Sequence, residues 1–359
     1  MESKSFFFKS KTLNKNISRT KKIFSNLKLE LNNQNLPILQ SYNKNFELGF
    51  SKKLVKKYSK YKNIFIIGMG GSILGTKSIF SFFKKKIKKN VYFFDNLDDN
   101  LYFQFKKIKN IKNSCFIVVS KSGNTLETFV NFNFIFSKIS LKNRLIFISE
   151  VKDSVLVNLA KKYNAEIIEH KNFIGGRYSV LSEVGMFPAA LMGLNIKKFK
   201  NLKNFIKSKN FSSSLVKNVA TIYTLNTLGI RNSVILNYDT NLIDLACWYQ
   251  QLVGESLGKK GKGITPILSQ GPKDHHSLLQ LYLEGPKDKF FTFFNFSRKE
   301  KNKHKILTSI IQNNTRYLKG KNLDTIIRAQ SHAVQNVFLK KKIPFRQIDF
   351  YEKNENELG

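Results

Sequence analysis

Short, continuous apolar runs that alternate with helix-like stretches constrain the fold of this 359-residue chain more than any other feature. Strands of a parallel sheet covered on both faces are apolar along their whole length, whereas half-exposed strands alternate between apolar and polar. The runs therefore predict a parallel sheet with helices on both faces, which is the α/β class. The predicted strands are 63–68, 91–95, 114–120 and 144–149, with 165–168 as an edge strand, and the predicted helices are 72–85, 98–107 and 125–138.

The same alternation resumes after Leu194 and predicts a second α/β domain. Its predicted helices are 212–228, 242–257 and 275–283, and its predicted strands are 233–238, 264–268 and 289–296. We expect an N-terminal helical or extended wrap of short helices over 1–50, a first domain over 51–195 and a second over 196–359. A charged, polar stretch over 201–214 is predicted to be the linker between the two domains.

Composition excludes several classes of protein. Hydrophobic residues make up 42% of the chain, enough for a large core, so global disorder is excluded. Two cysteines, Cys115 and Cys247, are too few for a disulfide scaffold or a cysteine-based zinc site. The apolar runs are far shorter than the roughly 20 residues that span a bilayer, and no signal peptide is visible. These features predict a cytoplasmic protein without a membrane partner.

The charge is strongly positive, with 62 Lys and Arg against 24 Asp and Glu, which gives a net charge of +38. Such an excess is also typical of nucleic-acid-binding proteins. Specific nucleic-acid recognition favours arginine, however, and only eight of the 62 basic residues are arginines. We therefore interpret the charge as compositional bias that also attracts small anionic substrates, and we expect no specific nucleic-acid partner.

A glycine-rich motif, GMGGSILG, directly follows the first predicted strand at 68–75 and opens a helix. Glycines allow a sharp turn, and a helix N-terminus offers free N–H groups to a phosphate. The dinucleotide fingerprint would require glycine at Ile73, and the Walker loop would require lysine at Thr76. The motif thus indicates either an anion site that includes Gly71 and Ser72 or a tightly packed turn.

A second strand–loop–helix junction carries the motif SKSGNTLET at 120–128. It concentrates three hydroxyls and one ammonium group in six residues, namely Ser120, Lys121, Ser122 and Thr125. A phosphate monoester has three strongly accepting oxygens, so the loop predicts a phosphate site. The alternative is a capping box at the start of the helix, although capping alone would not require the lysine.

Two further motifs place single charged residues beside glycines. In GGRYS, Arg177 is an anion stabiliser or, alternatively, a surface arginine beside an N-capping Ser179. In GESLGK, Glu255 lies near the end of an apolar helix and, taken alone, would be read as a solvated carboxylate.

A fifth motif, QGPKDHHS at 270–277, enters a predicted helix. Asp274 can serve there as an N-cap, and the two histidines that follow it are adjacent in sequence. Adjacent helical residues do not face each other, so His275 and His276 are not expected to bind one metal together.

In this order, the five motifs resemble those of the phosphoglucose isomerase family of the bacterial type, within the sugar isomerase (SIS) superfamily. The family patterns GxGGSxLG, SKSGxTxET, GGRxSxxSxVG, ESxGK and DxHS followed by QxxxEGP read here as GMGGSILG, SKSGNTLET, GGRYSVLSEVG, ESLGK and DHHSLLQLYLEGP. The resemblance covers residues 60–350.

The resemblance implies two doubly wound SIS domains, a homodimer, and the reversible conversion of glucose 6-phosphate to fructose 6-phosphate in glycolysis and gluconeogenesis, without metal or cofactor. By motif position, Glu255 corresponds to the proton-transfer base, Arg177 to the stabiliser of the enediolate, and His276 to a ring-opening histidine supplied by the partner subunit. The implied phosphate ligands are Gly71, Ser72, Ser120, Lys121, Ser122 and Thr125.

Two alternatives remain open at this point. Bifunctional phosphoglucose/phosphomannose isomerases resemble the family but typically lack a lysine at the position of Lys121. A sugar-phosphate-binding protein with little turnover is the other, because the family's C-terminal catalytic lysine has no counterpart before Gly359 and Lys340–Lys342 is interpreted as a solvated run. On this resemblance we expect a fragment, or a chain in which that role is lost.

Overall fold

The computed structural model describes residues 11–33, 36–137, 143–200, 202–296, 305–307 and 312–359. The first ten residues of the predicted wrap, Lys138 in a predicted helix and Asn201 in the predicted linker lie outside the described residues.

The strands, in chain order, are β1 (Asn63–Ile67), β2 (Asn90–Phe94), β3 (Ser114–Val119), β4 (Leu145–Ser149), β5 (Glu166–Glu169), β6 (Asn232–Asn237), β7 (Thr265–Gln270), β8 (Lys289–Phe296) and β9 (Phe345–Phe350). The helices are α1 (Lys11–Asn33), α2 (Pro37–Gln40), α3 (Lys52–Ser59), α4 (Leu74–Phe83), α5 (Asp99–Lys106), α6 (Leu126–Phe136), α7 (Val155–Lys162), α8 (Glu183–Leu191), α9 (Leu202–Lys207), α10 (Lys209–Thr227), α11 (Ile243–Leu257), α12 (Leu279–Glu284), α13 (Leu323–Lys340) and α14 (Glu355–Leu358).

Contacts divide the chain into two compact units, each with its own sheet. The first unit contains Leu29–Asn204, Cys247–Leu252 and Asn354–Gly359. The second contains the residues up to Lys28, Phe205–Ala246 and Val253–Lys353.

The sheet of the first unit is parallel throughout, in the order β2-β1-β3-β4-β5. Strands β1, β3 and β4 are buried at every position, as their continuous apolar sequences predict. The chain runs outward from β1 to β2 and then returns to β3 on the other side of β1. The carboxyl ends of β1 and β3 therefore flank a topological switch point, where ligands of open α/β sheets bind.

The sheet of the second unit is also parallel, in the order β7-β6-β8-β9. Its core is rich in aromatic rings, because the phenylalanines of β8 pack against α13 and β9. Phe293 contacts Phe338 and Phe345 edge-on, at ring-centroid distances of 5.7 and 5.2 Å. The switch point of this sheet lies between β6 and β8, and Tyr238 directly follows β6.

The predicted α/β class with parallel sheets and helices on both faces is confirmed. Three predictions about elements were wrong. The described part of the N-terminal stretch is mostly one 23-residue helix, α1, instead of short helices. The predicted linker is helical in α9 and at the start of α10, and the helix predicted from His275 begins only at Leu279.

Strand β9 was not predicted from the sequence, because its residues, FRQIDF, do not form an apolar run. Arg346 is nevertheless buried, and its guanidinium donates to Thr292 Oγ1 at 2.9 Å and to Asn218 Oδ1 at 3.0 Å. A polar strand is thus accommodated at the sheet edge because side chains from distant segments satisfy its donors.

Candidate active site

The glycine-rich loop after β1 is a tight turn that leads into α4. Gly70–Ser72 form a 3-10 turn, and Gly70 has a φ of +50°, which glycine adopts without strain. A Cβ on Gly71 would lie 2.3 Å from the carbonyl carbon of Gly176, so no side chain fits there. Close packing therefore accounts for these glycines, and the turn leaves Ser72 half-buried beyond the carboxyl end of β1.

The segment that begins with Gly175 packs against this loop within the first unit. Ser179 Oγ donates to the Gly71 carbonyl oxygen at 3.1 Å. Ser179 is therefore not a helix N-cap as the alternative interpretation had it, since Ser182 caps α8. The Arg177 guanidinium lies 4.5 Å over the Tyr178 ring, which helps to orient it.

The loop after β3 presents two hydroxyls to each other. Ser120 Oγ and Thr125 Oγ1 lie 2.8 Å apart, and Ser120 Oγ also accepts from the Gly123 amide at 3.2 Å. Gly123 has a φ of +72°, which closes the turn between the hydroxyls. Ser122 is exposed at the outer side of the same loop, and its Oγ accepts from the Asn124 amide at 3.2 Å.

Helix α6 begins here without a side-chain cap. Thr125 is at the N-cap position, but its hydroxyl is turned to Ser120 and makes no capping hydrogen bond. The capping-box alternative for this motif is therefore wrong. The positive end of the 11-residue helix and its first N–H groups lie beside the hydroxyl pair, which is an arrangement suited to an anion.

Lys121 is held beside this loop by two oxygen acceptors. Its ammonium donates to the Asn172 carbonyl oxygen at 2.7 Å and lies 3.6 Å from Glu150 Oε1. Burial would raise the pKa of Glu150, but the hydrogen bond and charge of Lys152 and the charge of Lys121 outweigh it, so the pKa is lowered. A stable carboxylate therefore partly neutralises Lys121, which weakens its attraction for an anion at this loop.

Three buried ionisable side chains lie behind the Arg177 segment. His170 Nε2 lies 3.1 Å from the Ile174 carbonyl oxygen, and Nδ1 lies 2.7 Å from Glu183 Oε1. Because a carbonyl oxygen only accepts, Nε2 is the donor to Ile174, and Nδ1 is the ring nitrogen that faces the Glu183 carboxyl group. Lys200 is 4% exposed, and its ammonium has no hydrogen-bond partner among the described residues.

His170 fixes the start of the Arg177 segment, and Glu183 holds His170. His170 holds the carbonyl of Ile174, which immediately precedes Gly175 and Gly176. Lys200 brings a charge into the interior that Glu183 offsets only in part, and its ammonium lies 4.7 Å over the Phe46 ring.

The helix that carries Glu255 is α11. Gln251, four residues earlier and assigned to the first unit, places its Nε2 3.0 Å from where a Cβ on Gly70 would be. Residues four apart share one face of a helix, so Glu255 lies one turn further along the face that Gln251 occupies. Glu255 is exposed and belongs to the second unit.

His276 lies on a loop beyond β7 that Asp274 holds in place. The Asp274 carboxylate accepts from Ser269 Oγ at 2.9 Å, from the Gln270 amide at 2.7 Å and from Ser277 Oγ at 3.1 Å. These hydrogen bonds and the charge of Lys273 outweigh burial and lower the pKa of Asp274. Asp274 thus closes the loop and does not cap α12, whose N-cap is Leu278.

The two histidines of this loop point to different surroundings. His275 is half-buried, and its Nε2 lies 2.7 Å from the Tyr238 hydroxyl, whereas His276 is exposed. Among the described residues, no group of three or more His, Cys, Asp and Glu side chains is arranged to hold a metal ion.

This chain is similar to known proteins in sequence and in fold. The profile of the phosphoglucose isomerase family matches residues 33–342. The chain belongs to the phosphoglucose isomerase family. It is 36% identical over 316 residues to the glucose-6-phosphate isomerase of Methanocaldococcus jannaschii, an alignment that covers 85% of this chain and 76% of the relative.

Two solved structures show the same fold. A hypothetical protein from Thermus thermophilus superposes with a TM-score of 0.81 at 21% identity, covering 96% of this chain and 88% of its own. A glucose-6-phosphate isomerase from Chlamydia trachomatis superposes with a TM-score of 0.69 at 19% identity, covering 85% of this chain and 64% of its own. In the part of this chain that the structure describes, no helix is both long enough and apolar enough to cross a bilayer.

The structure distributes the residues suggested by the phosphoglucose isomerase motifs over the two units. The first unit brings the loop of Gly71 and Ser72 against the segment of Arg177, and it joins Ser120 to Thr125. Glu255 and His276 belong to the second unit, on different elements.

Several residues that support these loops were missed by reasoning from the sequence. Glu183 is part of the motif GGRYSVLSEVG, but no role was predicted for it. An acidic residue inside the apolar run 180–194 is nevertheless a signal of a buried partner. Tyr238 is the last residue of a predicted strand, and Gln251 precedes Glu255 by one helical turn. Their contacts come from distant segments, so no local pattern indicated them.

Proposed function

We propose that this member of the phosphoglucose isomerase family interconverts glucose 6-phosphate and fructose 6-phosphate. Besides the family membership, the observation that carries the proposal is the Ser120–Thr125 hydroxyl pair at the uncapped N-terminus of α6. Two hydroxyls and a positive helix end suit a dianionic phosphate monoester and serve no capping function here.

In this proposal the phosphate is held by the loops at the switch point of the first sheet. Ser120, Ser122 and Thr125 donate hydroxyls, Ser72 donates from the neighbouring loop, and Lys121 adds positive charge that Glu150 moderates. Gly71 lets the two backbones approach. Holding the phosphate does no chemistry by itself, but it fixes C1 and C2 of the sugar before reaction, which lowers the entropic cost of reaching the transition state.

Isomerisation of an aldose phosphate opens the hexose ring and then moves one proton between C2 and C1. In our proposal His276 delivers a proton to the ring oxygen as the C1–O5 bond breaks, and the C1 hydroxyl loses its proton to water as the C1 carbonyl forms. Glu255 removes the proton from C2, which gives a cis-enediolate, and returns it to C1 while the proton of the C2 hydroxyl moves to O1, so that C2 becomes the carbonyl carbon. Arg177, oriented by Tyr178, stabilises the negative charge on the enediolate oxygens.

We further propose that the enzyme acts as a homodimer in which His276 serves the site of the partner subunit. The exposure of His276 on a loop that Asp274 anchors supports this, because an exposed histidine is accessible to a second copy of the chain. The chain has only two cysteines, Cys115 and Cys247, which supports a reducing compartment, and we place the reaction in the cytoplasm.

The experiment that tests the proposal is a coupled assay of the purified chain. Fructose 6-phosphate is supplied, and glucose 6-phosphate is detected with a dehydrogenase; mannose 6-phosphate is supplied in parallel. Turnover of fructose 6-phosphate with little turnover of mannose 6-phosphate supports the plain isomerase. The family match does not favour the bifunctional alternative. Calorimetric binding of the sugar phosphate without turnover would leave a binding protein and contradict the proposal.

A further inference from the structure

Tyr238 connects the core of the second unit to the histidine loop. It follows β6 directly, is 5% exposed, and its ring is nearly parallel to that of Phe293 at a centroid distance of 6.0 Å. Its hydroxyl lies 2.7 Å from His275 Nε2. The side chain therefore reaches from the floor of the sheet to the residue immediately before His276.

The ring of Tyr238 has little freedom to move. A Cβ on Gly271 would lie 2.4 Å from the ring, so the backbone beyond β7 lies directly against it. The Tyr238 amide donates to the Phe294 carbonyl oxygen at 2.9 Å, which fixes the backbone on the other side. With both ring and backbone held, the position of the hydroxyl is set by the core and not by solvent.

The pair is also held uncharged. Burial raises the pKa of Tyr238, so the phenol remains protonated. Burial and the neighbouring charge of His276 lower the pKa of His275, and Asp274 only partly opposes this. The titratable groups around His275 are thus Tyr238, Asp274 and His276, and a neutral His275 imposes no positive charge on the histidine beside it.

We infer that Tyr238 is a positioning residue for the isomerase reaction, which acts through His275 to fix the histidine loop so that His276 presents its imidazole to the sugar. Asp274 anchors this loop to the end of β7 and to Ser277, and Tyr238 anchors it to the end of β6. His276 lies between these two anchors and is itself exposed. The inference rests on the proposed function, since it assigns Tyr238 a purpose only if His276 takes part in turnover.

The test begins with Tyr238→Phe, which removes the hydroxyl and keeps the ring packing. The lost hydrogen bond should lower kcat by about 2- to 10-fold, because the loop is less often in the productive position, while KM changes little since the phosphate loops are untouched. Tyr223→Phe is the matched control: Tyr223 is 50% exposed on α10 and should leave both constants unchanged.

Substitutions of His275 separate positioning from general damage to the fold. His275→Gln can keep a polar group near the position of Nε2 and should restore most of the activity that His275→Ala loses. The double variant Tyr238→Phe/His275→Ala should lose no more activity than either single variant, because both remove the same hydrogen bond. Thermal melting of each variant checks that the fold is retained.

The outcomes are distinguishable. An active parent whose kcat is unchanged in Tyr238→Phe, or whose double variant shows the product of the two single losses, overturns the positioning role and leaves the isomerase proposal intact. A Tyr238→Phe variant in which only KM rises and kcat is unchanged also overturns the positioning role. A parent that turns over neither sugar phosphate removes the proposed function and this inference together.

Discussion

At the scale of single residues, Lys200 gives the sharpest prediction about stability. Burial lowers its pKa from 10.5 to about 8, and the charge of Glu183 opposes this only in part. Since the folded state releases the proton at a lower pH than the unfolded state does, the full penalty is present below pH 8. As pH rises from 8 to 10.5, the penalty disappears and the free energy of unfolding increases.

We expect Lys200→Met to raise the free energy of unfolding at pH 7. The pKa difference corresponds to roughly 3 kcal/mol, an upper value because the structure around a new side chain relaxes. Denaturant titrations of Lys200→Met and the parent should show a higher free energy of unfolding for the variant at pH 7, and a smaller difference between the two proteins at pH 10. Lys198→Met is the control, because Lys198 is exposed and nearby, and it should leave the free energy of unfolding unchanged at both pH values. A gain of equal size at both pH values would contradict the buried-charge explanation.

The second residue-scale prediction concerns Glu255. The variant Glu255→Gln keeps the shape of the side chain but cannot accept a proton, so turnover should fall by about 10²–10⁴-fold while sugar-phosphate binding is nearly retained. Exchange of the C2 hydrogen with solvent, followed by NMR, measures the proton-transfer step directly. Glu284→Gln serves as the control, because that carboxylate is 58% exposed and paired with Lys341. Exchange at the parent rate in Glu255→Gln would exclude Glu255 as the base.

At the scale of elements, two helices of the first unit begin in physically different ways. In α7, Ser154 Oγ accepts from the Val157 amide at 3.4 Å, as an ordinary N-cap does. In α6, the Thr125 hydroxyl is turned to Ser120, and the first turn has no side-chain cap. A helix that leaves its N-terminus uncapped forgoes stabilisation, and an anionic ligand can recover it.

Paired substitutions at these helix starts should separate binding from stability. Ser120→Ala with Thr125→Ala should raise KM for the sugar phosphate, each lost charged hydrogen bond weakening binding by about 1.5–3 kcal/mol, with little change in melting temperature. Ser154→Ala should do the reverse, lowering stability by about 1 kcal/mol and leaving KM unchanged. Competition by inorganic phosphate provides an independent measure of the site. An unchanged KM in the double variant, with free glucose bound as well as its phosphate, would remove the basis for the site.

At the scale of the whole molecule, the proposed sharing of His276 between subunits can be tested by complementation. Glu255→Gln and His276→Ala should each be nearly inactive alone. If His276 acts in the partner's site, heterodimers of the two variants contain one intact site, and random mixing should restore up to about a quarter of the parent activity. Unfolding and refolding the mixture together allows subunits to exchange. Activity that stays at the level of the separate variants would mean that each chain supplies its own His276.

The division of the chain into predicted domains near residue 195 stays a prediction. Contacts group the structure into two units that exchange short segments, with Cys247–Leu252 of α11 and Asn354–Gly359 assigned to the first unit. An apolar pattern indicates which stretches are strands and helices. It does not indicate to which unit a short segment of one helix, such as Cys247–Leu252, is assigned by its contacts.

The sequence by itself determined most of the strands and the loops at their ends. Runs such as NIFII and SCFIVV are apolar because both faces of a parallel sheet are covered. The burial of these strands can therefore be predicted from the local sequence. Glycines and hydroxyls directly after those runs mark the carboxyl edge, and the order of the motifs identified the phosphoglucose isomerase family.

Only the tertiary structure decided which polar groups meet. Gly71 lies against Gly176, and Tyr238 reaches His275, through contacts between segments far apart in the chain. The burial of Lys200 and Arg346 was equally hidden, because both residue types are normally exposed. A buried polar group is tolerated only where another segment supplies its partner, or where other contacts offset the free-energy penalty of burying it. Which segments meet depends on how the chain folds back on itself and not on any local pattern.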